Sequence, residues 1–160
     1  MMLVIMGVAG SGKTTTGSLL AKELGWSFYD ADNFHSASNR AKMSQGIALT
    51  DEDRAGWLAS LRKLIEENLE ENKSAVLACS ALKNTYRSKL QVNEHVKFVY
   101  LQGSYEQIKT RLQNRSGHFM SADMLDSQFK ILEEPENALI VDITNSPQDI
   151  LTIIRKGFNL

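Results

Sequence analysis

Cysteine is nearly absent from this chain: Cys79 stands alone among 160 residues. One thiol forms no internal disulfide and no thiolate metal cluster, and it suits a reducing, cytoplasmic setting. Proline is scarce as well, with two in the sequence. No Ser/Gly-rich or repeated tract breaks the pattern, which argues against linkers, disorder and repeat architecture. No apolar stretch approaches the roughly 20 residues that cross a bilayer. The opening "MMLVIMGV" lacks a basic leading region and is not expected to be a signal peptide. The formal net charge is −1, so no broad basic field recommends nucleic acid or an anionic membrane as partner. Any anion bound here must be held by local arrangement. What remains reads as one domain over residues 1–160, long enough to bury roughly two thirds of its unfolded surface.

Five short apolar runs, at 3–6, 26–29, 75–79, 96–101 and 138–143, read as strands. They are continuously apolar more than alternating, as strands covered on both faces are. Helical patterns lie between them. Residues 13–24 end at Gly25, a natural left-handed stop. A long helix is expected over about 51–71, opened by a Thr50/Asp53 capping box and striped by Trp57, Leu58, Leu61, Leu64, Ile65 and Leu69. Leu82, Tyr86 and Leu90 mark another helix, Ser104 with Gln107 opens a further one, and Ser121 is a candidate cap for one running to Leu132. Ser146-Pro147 begins the last, which is expected to stop near Gly157. This alternation predicts an α/β fold: a doubly wound, five-stranded parallel sheet. Two stretches exceed a minimal alternation. Residues 31–72 are expected to bind an acceptor, and 114–135 to form a lid.

The run "GVAGSGKT" fits G-x-x-x-x-G-K-[ST] after a strand and before a helix. Its glycines let the backbone curl until successive N–H groups face phosphate oxygens, and the following helix adds the positive end of its dipole. Gly7, Val8, Ala9, Gly10, Ser11, Gly12, Lys13, Thr14 and Thr15 are the candidate nucleotide contacts. Lys13 would reach the β/γ-phosphates and the Thr14 hydroxyl would meet Mg²⁺.

The loop alone does not say what happens to the phosphate. A guanine-reading N-K-x-D is missing, since Asn72-Lys73 is followed by Ser74-Ala75. A D-x-x-G match at 53–56 falls inside an expected helix instead of after a strand. "SAVLACS" lacks the terminal acid usual in motor ATPases, and Asp142 comes late in the chain. A small-molecule kinase needs an acid near the γ-phosphate, cations for the acceptor and a cover against water. "YDADNFH" supplies Asp30 and Asp32, which strand alternation would point to the same side: one to hold Mg²⁺ through water, the other to meet the acceptor hydroxyl. Basic residues gather in the same stretches: Arg40, Lys42, Arg54, Lys83, Arg87, Arg111 and Arg115. Guanidinium groups match carboxylate and phosphate in bidentate fashion. His35 and His118 are candidate polar contacts for the acceptor, without spacing for a metal site. Cys79 and Trp57 read as core.

With these residues laid out, the chain resembles the gluconokinase family of small P-loop sugar-acid kinases, nearly end to end. The likeness rests on "MGVAGSGKTT", "DADNFHSASNRAKMSQGIALTDEDRAGWL", "ACSALKNTYRSKL", "VYLQGSYEQIKTRLQNRSGHFMSADMLDSQFKILEEP" and the closing "VDI". Shikimate and nucleoside monophosphate kinases share the loop but not these strings. The resemblance implies ATP-dependent phosphorylation of D-gluconate at its terminal hydroxyl, giving 6-phospho-D-gluconate, with Mg²⁺ and often a homodimer. It implies that Lys13 and Thr14 serve ATP and Mg²⁺, that Asp32 is the acceptor-side acid, and that Asp30 lies nearer the metal. Arg54, Lys83 and Arg87, with His35 beside them, match the acceptor pocket; Arg111 and Arg115 match cations leading into the lid. The family usually has proline where Ala48, Gly56 and Ser121 stand, and glycine in place of Ala31. Two other readings stay open: a kinase for another acceptor, such as a related sugar acid or shikimate, and a nucleotide-binding regulator without catalysis. A regulator would need neither the acid pair nor the lid arginines.

Overall fold

A computed structural model of the chain describes residues 1–115 and 122–160. Strand β1 (Met2–Met6) runs into the phosphate loop and helix α1 (Lys13–Leu24), and β2 (Ser27–Asp30) follows. A single 3-10 turn (Ala31–Phe34), α2 (Ala37–Ser44) and α3 (Asp51–Glu70) precede β3 (Ala75–Ala78). The chain continues through α4 (Asn84–Leu90), β4 (Val96–Gln102), α5 (Tyr105–Gln113), α6 (Ala122–Ile131), β5 (Leu139–Asp142) and α7 (Pro147–Phe158). All five strands are parallel, in the order β2-β3-β1-β4-β5. The doubly wound α/β sheet expected from the sequence is therefore present.

Both faces of β1 are covered, which explains its unbroken apolar run. Met2, Val4 and Met6 pack with Trp57, Leu58, Leu61 and Ile65 of α3 and with Tyr86 and Leu90 of α4. Leu3 and Ile5 pack on the other side with Leu20 of α1, Ile108 of α5 and Ile150, Leu151 and Ile154 of α7. Each large apolar side chain buried this way stabilises the fold by about 1.5–3 kcal/mol. The central strand has β3 on one side and β4 on the other. Connections thus diverge at its carboxyl end, and a crevice opens where the phosphate loop leaves the sheet.

Local signals set most boundaries. Gly25 closes α1 at φ 68°, and Thr50 with Asp53 forms the full capping box of α3. Ser104 and Gln107 form a second box at α5. Helix α2 was not expected. It buries only Asn39 and so leaves no apolar stripe in the sequence, forming instead on a Ser36 cap that accepts from the Asn39 amide. Helix α7 stops near Gly157 as expected, ending at Phe158, with Asn159 taking the left-handed cap. Gly157 is small because a Cβ there would lie 2.7 Å from Leu139. The Ser121 cap lies outside the described residues.

Asp53 binds the start of α3 to α2. Its carboxylate accepts the Thr50 amide at 3.0 Å and the Lys42 ammonium at 2.9 Å. The Thr50 amide and then Lys42 hold the Asp53 carboxyl down at about 2. A depressed folded-state value means stability present above the ordinary carboxylate range and lost as pH falls through about 2. Denaturant melts should therefore find Asp53→Asn less stable than the parent at neutral pH, with the gap closing between about pH 4 and pH 2. A gap that stays constant across that window would contradict the capping role.

Candidate active site

The phosphate loop is shaped by backbone that side chains resist. Gly10 and Gly12 sit at φ 80° and 96°, the left-handed region where a Cβ is disfavoured, and Gly12 is the residue that caps α1. The turn buries the Ser11 hydroxyl, whose oxygen finds no hydrogen-bond partner among the described residues. An orphaned buried hydroxyl in this glycine turn fits a loop built around an anion. Lys13 arches back and donates from Nζ to the Val8 carbonyl at 3.0 Å. Burial pulls its ammonium below the usual value, while Asp32, Cys79 and Asp30 pull it back up.

One chain of hydrogen bonds runs from this loop to the acids. The Thr14 hydroxyl donates to Asp30 Oδ2 at 2.9 Å, and Asp30 Oδ1 accepts the Asp32 amide at 3.0 Å. Strand alternation does not bring the two acids together as expected. β2 ends at Asp30, which caps the 3-10 turn carrying Asp32. Both acids line a cavity of about 440 Å³ with Lys13, Thr14 and Thr15, within the range of small-molecule sites. The Thr14 hydroxyl and Asp30 carboxylate are paired hard oxygen donors without a surrounding cage. That set fits Mg²⁺, which keeps water and takes phosphate oxygens for its remaining positions. No group of three His, Cys, Asp or Glu able to hold a metal occurs among the described residues.

The opposite wall is built on Trp57. Its indole N–H donates to the Ala31 carbonyl at 2.7 Å, and its ring stacks on His35 at 4.3 Å and 11°. Trp57 is thus core, as expected, and also a platform for His35, a role the sequence ranked below core. Asn39 Nδ2 donates to the Asp53 carbonyl at 2.7 Å and faces His35 Nδ1 at 3.4 Å. The Asn39 amide orientation is fixed by that carbonyl, so Nδ1 accepts and Nε2 carries the proton. Burial lowers the His35 pKa, with Arg54 and Arg40 adding to the effect against Asp32. A neutral imidazole with its proton on Nε2 results.

The cations divide. Arg54 lines the cavity, tethered through Nη1 to the Leu49 carbonyl at 2.7 Å and the Tyr86 hydroxyl at 3.0 Å. Arg115 lines it too. Arg111 lies beside the loop, where a Cβ on Gly12 would come within 3.9 Å of its Nη1, and its Nη2 donates to the Ile143 carbonyl at 2.6 Å. Others, expected at the acceptor, are engaged elsewhere. Lys83 pairs with Asp51 at 3.0 Å, and Asp51 also accepts the Tyr86 hydroxyl. Arg40 donates to the Asn33 and His35 carbonyls at 2.9 and 3.3 Å. Arg87 is buried and braces α4, donating to the Ala81 and Glu133 carbonyls, each at 2.7 Å, and to Asn84. None of these three lines the cavity. His118 lies outside the described residues. The sequence reading gave no role to Gln128, whose Oε1 accepts the Ala9 amide at 2.7 Å; its only signal was membership of the "SQF" string.

Known proteins resemble this chain nearly end to end. The shikimate kinase family model matches residues 9–149. The chain is 42% identical to a gluconokinase of Arabidopsis thaliana, over 95% of this chain and 89% of that protein. It is 46% identical to the thermosensitive gluconokinase of Escherichia coli K12, over 83% of this chain and 72% of that one. The crystal structure of a gluconokinase from Sinorhizobium meliloti 1021 superposes with a TM-score of 0.89 at 37% identity, covering 99% of this chain and 91% of that one.

Cys79 borders the cavity yet is 1% exposed, and burial pushes its thiol up to about 12. Iodoacetamide at mildly alkaline pH should therefore alkylate the folded protein about a thousandfold more slowly than the unfolded chain. Equal rates, read by mass spectrometry, would show an open thiol instead of a buried one.

Proposed function

The chain belongs to the gluconokinase family, and we propose that it transfers the γ-phosphoryl group of ATP to the terminal hydroxyl of D-gluconate, giving 6-phospho-D-gluconate. One observation supports this most: the phosphate cradle and the acidic turn share one cavity and are joined through Thr14, Asp30 and Asp32. A nucleotide-binding regulator has no use for a carboxylate and a neutral histidine on the wall facing its phosphates.

The residues divide the work. Loop amides from Gly7 to Thr15 and the Lys13 ammonium bind the ATP phosphates, with Arg111 and Arg115 countering the charge that spreads over the moving group. Arg54 holds the gluconate carboxylate through the nitrogens that Leu49 and Tyr86 leave free. His35, flat against Trp57, donates from Nε2 to a gluconate hydroxyl. Asp32 accepts the hydrogen bond of the terminal hydroxyl and aims its oxygen at the γ-phosphorus. As that oxygen–phosphorus bond forms, the bond from phosphorus to the ADP oxygen breaks, and the hydroxyl proton passes to Asp32. Thr14 and Asp30 would hold Mg²⁺, which would supply positive charge beside the phosphates. The segment 31–72 supplies the acceptor wall, and the α6 part of 114–135 covers the loop. The reading extends to a cytoplasmic homodimer, which the family resemblance supports.

Two measurements test this. In an ADP-release panel with Mg²⁺, gluconate should exceed related sugar acids and shikimate, and chelating the metal should abolish turnover. Better turnover of shikimate would overturn the acceptor assignment. In Asp32→Asn, kcat should fall by about 10²- to 10⁴-fold while the affinity for an ATP analogue stays within a few-fold. Full-rate turnover by that variant would remove Asp32 from the chemistry.

A further inference from the structure

Gln128 stands 119 positions from Ala9 in the chain, yet its side chain reaches the phosphate loop and accepts the Ala9 N–H at 2.7 Å. The backbone donor settles which end of the carboxamide faces it, because only the oxygen accepts. The amino end is therefore turned away from Ala9. Nε2 has no hydrogen-bond partner among the described residues. Gln128 nonetheless lines the cavity with Lys13, Asp32 and Arg115, the residues that surround the transfer position.

The carboxamide is held on a fixed support. Leu125, one turn earlier on α6, is buried, and Phe129 packs edge-on against Tyr105 of α5 with ring centres 5.4 Å apart. Ala9 lies in the first half of the loop, four residues ahead of Lys13, whereas the inner phosphates are expected over the α1 amides. Two donor hydrogens, without an acceptor among the described residues, thus belong to a side chain that lines the cavity shared by the loop and Asp32. A phosphoryl oxygen there would satisfy them with a charge-assisted bond.

We propose that Gln128 is a contact residue for the terminal phosphoryl group. Its carboxamide, oriented by the Ala9 N–H, donates from Nε2 to a γ-phosphate oxygen and distinguishes a nucleoside triphosphate from a diphosphate. This rests on the reading of the loop as an ATP site. It makes α6 more than a cover: the helix reads whether a transferable group is present.

A pair of variants separates contact from mere anchoring. Gln128→Glu keeps an oxygen for Ala9 but replaces the donor with an anion, whereas Gln128→Ala removes both. Calorimetry on the full-length protein with Mg²⁺ would compare a non-hydrolysable ATP analogue with ADP. Losing a hydrogen bond to a charged group should weaken the analogue about tenfold or more in Gln128→Ala, with ADP within about twofold. Gln128→Glu should be weaker still for the analogue, because its carboxylate repels the γ-phosphate. Parental affinity for the analogue in Gln128→Glu, or equal losses for both nucleotides in Gln128→Ala, would overturn the contact and leave only an anchor. A parent protein that binds neither nucleotide would overturn the ATP reading along with it. Acceptor specificity does not enter this measurement, so a different acceptor would leave the expected affinities unchanged.

Discussion

The hydrogen bond from the Thr14 hydroxyl to Asp30 holds the two halves of the site in register. Thr14 belongs to the first turn of α1, and Asp30 is the last residue of β2. The bond therefore links the element that presents the phosphate loop to the edge strand that presents the acidic turn. Asp30 then uses its other oxygen to cap the turn carrying Asp32. A phosphotransferase needs its donor and its acceptor acid fixed within a fraction of an ångström of each other. Here a single carboxylate sets that spacing, and the parallel ladder between β2 and β3 keeps it from drifting.

Much of the donor half was legible in the sequence, because it rests on backbone geometry that only certain residues tolerate. Glycines in left-handed conformations, a lysine at the helix start and a strand before them form a short-range pattern. The capping boxes at Thr50 and Ser104 are equally local. The acceptor wall was legible only in part. Its residues meet through tertiary contacts that no spacing announces: Trp57 under His35, Asn39 between His35 and Asp53, and Gln128 on Ala9. Helix α2 escaped notice for a related reason, since a polar helix carries no apolar period.

Charge counting misled most. Seven cations in and around the inserted stretches looked like a shared anion site, yet several are already engaged. Asp51 takes Lys83, backbone carbonyls take Arg40 and Arg87, and Asp53 takes Lys42. Arg54 and Arg115 are the members of that set found on the cavity wall. Restricting the acceptor side to a half-tethered arginine and a neutral histidine fits an acceptor with one carboxylate and many hydroxyls. A second full charge would find fewer partners there.

Whether the phosphoryl group is given away or lost to water decides the central claim. The direct measurement follows ATP labelled in its γ-phosphate through a reaction containing the protein, Mg²⁺ and D-gluconate. Label recovered at the terminal oxygen of 6-phospho-D-gluconate, with little inorganic phosphate, is the predicted result. Label accumulating in inorganic phosphate at a rate indifferent to gluconate would contradict it.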